Sequence, residues 1–309
     1  ARVNREQWLW SAGKSRTTSL TARDGILSFI MDGARLSAPN GLLNRSGMKP
    51  KRNIFLSDLH CGSDRALFPP SISLPPLMAD EKERLLSYSN IQKRLYDHLM
   101  KCAYTIRAES EEFDKVFVFN GDIVEGIHHR TIQLTAPMVE DHVLIAEQII
   151  EDFLQAAGFR MGDELHFTSG TEVHTEWNEA RVSRKFEYYG AKYHDELKLN
   201  QFGKNIWTVH QWVGVGDGAN EGSPIINGLK RMYYNSLREG WEMPDIVIGS
   251  HFHKASLGSW SQNWKTFHGI ITPSWQFKTR HGQKVAPFQR NDIGLFMMDV
   301  SEGGINIHK

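Results

Sequence analysis

From residue 51 onward, short apolar runs alternate with longer stretches of helical spacing. Asn53 to Ser57 reads as a buried strand, and Lys115 to Asn120 (Lys-Val-Phe-Val-Phe-Asn) as a second. Glu164 to Ser169, Asn205 to Trp212 and Asp245 to Ser250 have the same character: strand-length runs bounded by turn-forming residues. Between them, Leu85, Leu86, Ile91, Leu95, Leu99 and Ala103 predict a helix from Asp80 to about Ala108, with Asp80 as its N-cap. Further helices are predicted from Val139 to about Ala157, from Thr175 to about Glu187 and from Ile225 to about Arg238. Pro69-Pro70 and Pro75-Pro76 make their segment too proline-rich for a helix or central strand. After His253 the pattern becomes strand-like over 255–260, 265–272, 293–300 and 304–308. Strand–helix alternation with a strand-rich end predicts an α/β layered sandwich with a mixed sheet.

The polar residues that interrupt these runs cluster where strands end, the edge at which open α/β sheets bind ligands. Asp58 and His60 follow the first strand, Asp122 the second, and His251 and His253 the run Ile246 to Ser250. His210 lies inside its predicted strand. Residues i and i+2 of a strand share a side, so Asp58 with His60, and His251 with His253, can each serve one centre. Carboxylate oxygen and imidazole nitrogen suit divalent Mn, Fe, Zn or Ni. Six such groups exceed what one tetrahedral zinc needs. Two cations about 3.5–4 Å apart would use them, generating a bridging hydroxide and clamping a phosphoryl group.

Composition narrows the alternatives. Lys+Arg and Asp+Glu are both 36, which argues against nucleic-acid binding through bulk positive charge and leaves a local basic groove open. Cys61 and Cys102 are the two cysteines, too few for a disulfide framework or a Cys-based structural zinc site. With no membrane-length apolar run and no good signal peptide, a cytoplasmic protein with no membrane partner is expected. Residues 1–50 read as an appended, poorly packed extension of upstream origin. The competing reading is an arm that docks through Trp8, Trp10, Ile26, Leu27 and Phe29. Residues 51–309 form the working domain.

In order and strand context, Asp58-Leu-His60, Gly121-Asp122, His210 and Gly249-Ser-His251-Phe-His253 resemble the motifs of the calcineurin-like metallophosphoesterases. The resemblance covers about Asn53 to His253. It implies a four-layer α/β/β/α sandwich and a dinuclear phosphoric ester hydrolase. Asp58, His60 and His253 would hold the first metal, His210 and His251 the second, and Asp122 would bridge them. Where the family has Gly-Asn-His-Asp/Glu, this chain has Gly170-Thr171-Glu172-Val173-His174. Thr171 takes the Asn slot, Glu172 becomes a candidate ligand, and His174 is displaced by two positions from the catalytic histidine. His174 is the expected proton donor.

Phosphate-ester chemistry is thus expected, with manganese favoured and a phosphodiester or nucleic-acid substrate preferred. The preference rests on His128, His129 and Arg130, which follow Asp122 closely enough to line a cleft. A phosphomonoesterase, a nucleotide hydrolase and a non-catalytic scaffold remain as alternatives. Asn120 is open between a ligand contact and a strand end. Lys278, Arg280, His281, Lys284 and Arg290, beside Trp275 and Phe277, read as a solvated loop, with a basic aromatic strip for nucleic acid as the other reading.

Overall fold

The computed structural model describes residues 47–127, 132–172, 178–285, 287 and 289–308. Most of the N-terminal extension, residues 1–46, therefore lies outside the described residues.

The predicted buried strands build two sheets. The first runs β13–β12–β1–β4–β5–β6, from β1 (Lys51–Leu56), β4 (Asp114–Asn120), β5 (Glu164–Thr168), β6 (Lys192–His194), β12 (Phe296–Ser301) and β13 (Gly304–His308). The second runs β10–β11–β9–β8–β7, from β7 (Leu197–Gln201), β8 (Lys204–Thr208), β9 (Ile246–Gly249), β10 (Ser256–Gln262) and β11 (Lys265–Ile271). Both are mixed: β1, β4, β5 and β6 run parallel, as do β8, β9 and β11, while β12, β13, β7 and β10 join antiparallel.

Alternation of side chains decides the layers. On β4, Phe117 and Phe119 join the cluster containing Leu95, Leu99, Ile149 and Phe153 of helices α1 (Asn90–Glu109) and α2 (Val139–Ala156). Val116 and Val118 turn the other way and meet Ile206, Ile246, Ile248 and Ile270 of the second sheet. Helix 223–239 covers the far face of that sheet, with Leu229 against Val247 and Phe267. Period-2 alternation over strands buried on both sides produces the four-layer α/β/β/α sandwich.

Local chemistry overrides the pattern in places. α1 begins at Asn90, ten residues after the predicted start, because Ser89 and Gln92 form a capping box. The residues before it pair as a separate ribbon of β2 (Ser71–Leu74) and β3 (Arg84–Ser87). The prolines flank β2 and leave it free to pair outside the main sheets. β8 ends at Thr208, so His210 lies beyond the strand that was predicted to contain it. Among the described residues, no helix is long and apolar enough to cross a membrane.

Candidate metal centre

The parallel strands β1 and β4 of one sheet and β8 and β9 of the other end at the same edge. The loops beyond them carry Asp58, His60, Asp122, His210, His251 and His253, six of the seven candidate ligands; Glu172 follows β5. Backbone bonds hold the loops together in pairs. Asp58 N donates to Gly121 O (3.1 Å) and His60 N to Asp122 O (3.0 Å); in the other sheet, Ser250 N donates to His210 O (2.7 Å). Between the sheets, His251 N donates to Asp58 Oδ2 at 3.2 Å.

The side chains do not converge by strand alternation, as the spacing had implied. Asp58, His60, Asp122, His251 and His253 have φ of 51°, 45°, 46°, 76° and 53°. Positive φ is uncommon outside glycine and costs backbone energy. Five of the six ligands on these loops are left-handed, each past the end of its strand. Gly121, with φ of 73°, lets the loops close: a Cβ there would meet His210 Nδ1 at 2.5 Å and Gly170 Cα at 2.7 Å.

Two triads result, Asp58–His60–His253 and Asp122–His210–His251, the ligand atoms of each lying within 4.8 Å of one another. His60 Nε2 faces His253 Nε2 at 3.1 Å. Asp58 Oδ1 lies 3.2 Å from His253 Nε2 and 3.9 Å from both His60 Nε2 and His210 Nε2. It therefore reaches imidazoles of both triads. Asp122 Oδ2 faces His210 Nε2 at 3.0 Å and His251 Nδ1 at 3.8 Å. Asp58 Oδ1 and His210 Nε2 are buried, and the carboxylate–imidazole contacts they make lack hydrogen-bond geometry, which is unusual for buried polar atoms. The side chain of His251 is 31% exposed, against 4% or less for Asp58, His60, Asp122 and His210, so the centre opens on the His251 side.

Electrostatics follow from this crowding. Burial opposes a charged His60, yet the carboxylates of Glu125, Asp122 and Asp58 outweigh it and raise its pKa to about 9. Burial likewise opposes a charged His210, but Asp122 and Asp58 raise it to about 10. Burial would lift Asp58, but His253 and His210 hold it down at about 2; His210, His251 and His60 depress Asp122 in the same way. The surrounding carboxylates thus favour the protonated imidazole at His60 and His210. Buried ligand atoms whose mutual contacts lack hydrogen-bond geometry, a pure oxygen–nitrogen set and mutually facing imidazoles all fit divalent metal. Cys61 supplies no thiolate, since burial pushes its pKa far up.

Of the supporting residues, the sequence raised only Asn120, left open between a ligand contact and a strand end. Glu125 Oε2 lies 2.8 Å from His60 Nδ1 and accepts from Gln276 Nε2 at 2.9 Å, the carboxylate–histidine arrangement that orients metal ligands. Its spacing after Asp122 was the available signal. Asn120 is a keystone: its carbonyl faces His210 Nδ1 at 2.7 Å, leaving Nε2 to the centre. Its amide donates to Ser250 Oγ (2.5 Å) and accepts from Thr168 Oγ1 (2.7 Å). Ser250 and Ser57 both meet Thr272 Oγ1, at 2.8 and 2.7 Å. This buried polar seam ties the two sheets directly beneath the ligands. Glu179 is buried beside Asp122; burial, with that neighbouring charge, raises its pKa to about 8.

The remaining candidates fare differently. Glu172 is exposed and belongs to neither triad. Thr171 turns to Asp122 instead, donating from N to Oδ1 (2.7 Å) and from Oγ1 to Oδ1 (2.9 Å) and Oδ2 (3.1 Å). The reason is backbone direction: Gly170 brings the loop against Gly121, and Thr171 is the next residue. His174, His128, His129 and Arg130 lie outside the described residues.

No family model matches the chain, and no curated protein does. Solved structures do. An archaeal phosphodiesterase is 9% identical over 83% of this chain and 98% of its own, with a TM-score of 0.38. A predicted phosphoesterase from Streptococcus pneumoniae is 11% identical over 82% of this chain and 85% of its own (0.32), and Vps29 from Chaetomium thermophilum is 11% identical over 83% and 92% (0.26). The layer order and the strand-end loops stand on their own: a four-layer α/β/β/α sandwich carries two His/Asp triads at one sheet edge, the arrangement that the motif resemblance implied.

Proposed function

We propose that the protein is a metal-dependent phosphoric ester hydrolase working with two divalent ions, manganese foremost, on phosphodiesters. The observation that carries this reading is the pair of His/Asp triads at one sheet edge. Bound there, two divalent ions would supply a hydroxide nucleophile near neutral pH and neutralise charge at phosphorus. Asp58, His60 and His253 would hold one ion and His210 and His251 the other, with Asp122 between them. Glu125 keeps His60 turned to the centre, and Asn120 does the same for His210. His251, the most open ligand, borders the side from which substrate enters. His174 is the proposed proton donor to the leaving oxygen, and His128, His129 and Arg130 the proposed phosphate contacts.

The test is Mn-dependent hydrolysis of bis-p-nitrophenyl phosphate by the parent and by Asp122→Ala and His251→Ala. Loss of turnover in both variants is expected, and unchanged turnover sinks the proposal. Elemental analysis separates it from a non-catalytic scaffold, since about two metals per chain are expected of the enzyme and none of the scaffold.

A further inference from the structure

The segment from Gln276 to Asn291 contains Lys278, Arg280, Lys284 and Arg290 and no Asp or Glu, in a chain whose charges balance as a whole. Both of its ends are tied to the metal centre. Gln276 Nε2 donates to Glu125, the carboxylate behind His60, at 2.9 Å. Asn291 Nδ2 lies 3.0 Å from His253 Nδ1 and donates to Gln276 O at 2.8 Å, closing the segment into a loop. Inside it, Arg280 N donates to Gln133 Oε1 at 2.7 Å, and Gln289 Nε2 to Phe252 O at 3.4 Å, between His251 and His253. The short helix Arg280–Val285 thus stands on the rim of the centre, with Arg280, Lys284 and Arg290 exposed. Among the described residues, Lys284 and Arg290 form no ion pair.

The aromatic half of the strip reading is overturned. Trp275 is fully buried, its ring 5.5 Å from that of His98, and Phe277 packs against the helix-side core. Neither can stack on a base. Among the described residues, the rim presents cationic charge without an aromatic platform, which is the chemistry of phosphate-backbone contact and carries no sequence readout.

We propose that this basic loop binds the phosphates flanking the scissile one, making a linear polyphosphodiester, a single nucleic-acid strand read through its backbone, the substrate class. The inference rests on the hydrolase reading above and deepens it. Recognition is independent of base identity, and the benefit appears in KM because flanking phosphates are held equally before and during reaction.

The experiment compares the parent with Lys284→Glu/Arg290→Glu and with the milder Lys284→Ala/Arg290→Ala, each checked for folding by circular dichroism. Binding of a fluorescein-labelled 12-nucleotide strand and of its abasic counterpart is read by anisotropy in Mn-containing buffer across salt. Hydrolysis of the strand and of bis-p-nitrophenyl phosphate is followed in parallel. The charge-reversal variant is expected to bind both strands at least about tenfold more weakly. Its log–log salt slope should be shallower by about 1.4, the single-strand value for two lost phosphate contacts. The ratio of kcat/KM for the strand over the small diester should fall about tenfold, through KM. Equal strand binding by parent and variants overturns the inference, as does a loss on the small diester as large as on the strand, or tight binding to the normal strand but not the abasic one. A parent that cleaves the small diester yet binds no strand, or binds anionic vesicles instead, overturns the inference and leaves the hydrolase reading standing. A parent that binds the strand through these residues but never turns over the small diester overturns the hydrolase reading alone.

Discussion

The two triads look alike in composition and differ in how they are braced. In Asp58–His60–His253, the rear nitrogen of His60 meets an anionic carboxylate, Glu125, and the rear nitrogen of His253 faces the Asn291 amide. In Asp122–His210–His251, the rear nitrogen of His210 meets a neutral carbonyl, and Asp122 already accepts two hydrogen bonds from Thr171. An anion behind a ligating imidazole raises its basicity and fixes its orientation. Hydrogen bonds donated to a carboxylate stabilise its charge and compete for its lone pairs. The first triad is therefore expected to hold its metal more tightly than the second.

The largest test of that difference removes Asp122. Asp122→Ala should cost more than about 1,000-fold in turnover and leave at most one tightly bound metal per chain by elemental analysis. Two metals retained at parental affinity would contradict the asymmetry. Next, Glu125→Gln keeps the shape behind His60 and removes the charge, so metal affinity should fall about 10–100-fold at the tighter site. Calorimetry resolves the two binding steps, and a loss confined to the weaker step would reverse the order. Thr171→Asn restores a carbonyl oxygen beside Asp122 and removes the hydroxyl donor. Affinity at the weaker step should then rise several-fold, with the tighter step little moved.

Protons compete with metal at both triads. Because the metal-free pKa values of His60 and His210 are raised to about 9 and about 10, their pairing with the carboxylates stabilises the metal-free protein fully below about pH 6.5. That contribution is lost as pH rises through 9 and 10. Thermal melts of stripped protein should therefore show Tm falling across this window. Metal uptake should strengthen across the same window and release protons at pH 7. Last, Thr272→Val cuts the seam beneath both triads and leaves Ser57 and Ser250 short of a partner, at a cost of about 1–3 kcal/mol in urea unfolding. The affinity gap between the two metal steps should survive it.

Much of the fold was legible because strands buried on both faces read as continuous apolar runs, as in Val116 to Phe119, and because α2 keeps a clean helical stripe. What misled was local. Leu85 and Leu86 fit a helical phase extending back from α1, but the Ser89–Gln92 capping box starts the helix after them and frees them to pair in β3. The edge strands β6 and β7 were missed because a partly exposed strand carries too little apolar pattern, as Lys198 and Asn200 show. The helix Arg280–Val285 has no buried residue and so no periodicity to read.

On its own, the sequence determined which residue types end which strands. An apolar run closing in Asp-x-His, Gly-Asp or His-x-His states the donor chemistry without coordinates. Tertiary structure alone decided how those donors meet. Parallel strands in two facing sheets bring their carboxyl ends to one edge, and left-handed backbone at five ligands turns the side chains inward. It also chose the supports: Glu125 behind His60, Asn120 behind His210, Thr171 in place of Glu172 at Asp122, and Asn291 at His253. These contacts join residues from 49 to 90 positions apart, apart from the Asn291–His253 pair at 38, or turn on loop dihedrals. Neither hydrophobic period nor residue propensity encodes them, because both report which face a side chain takes and not what lies across from it.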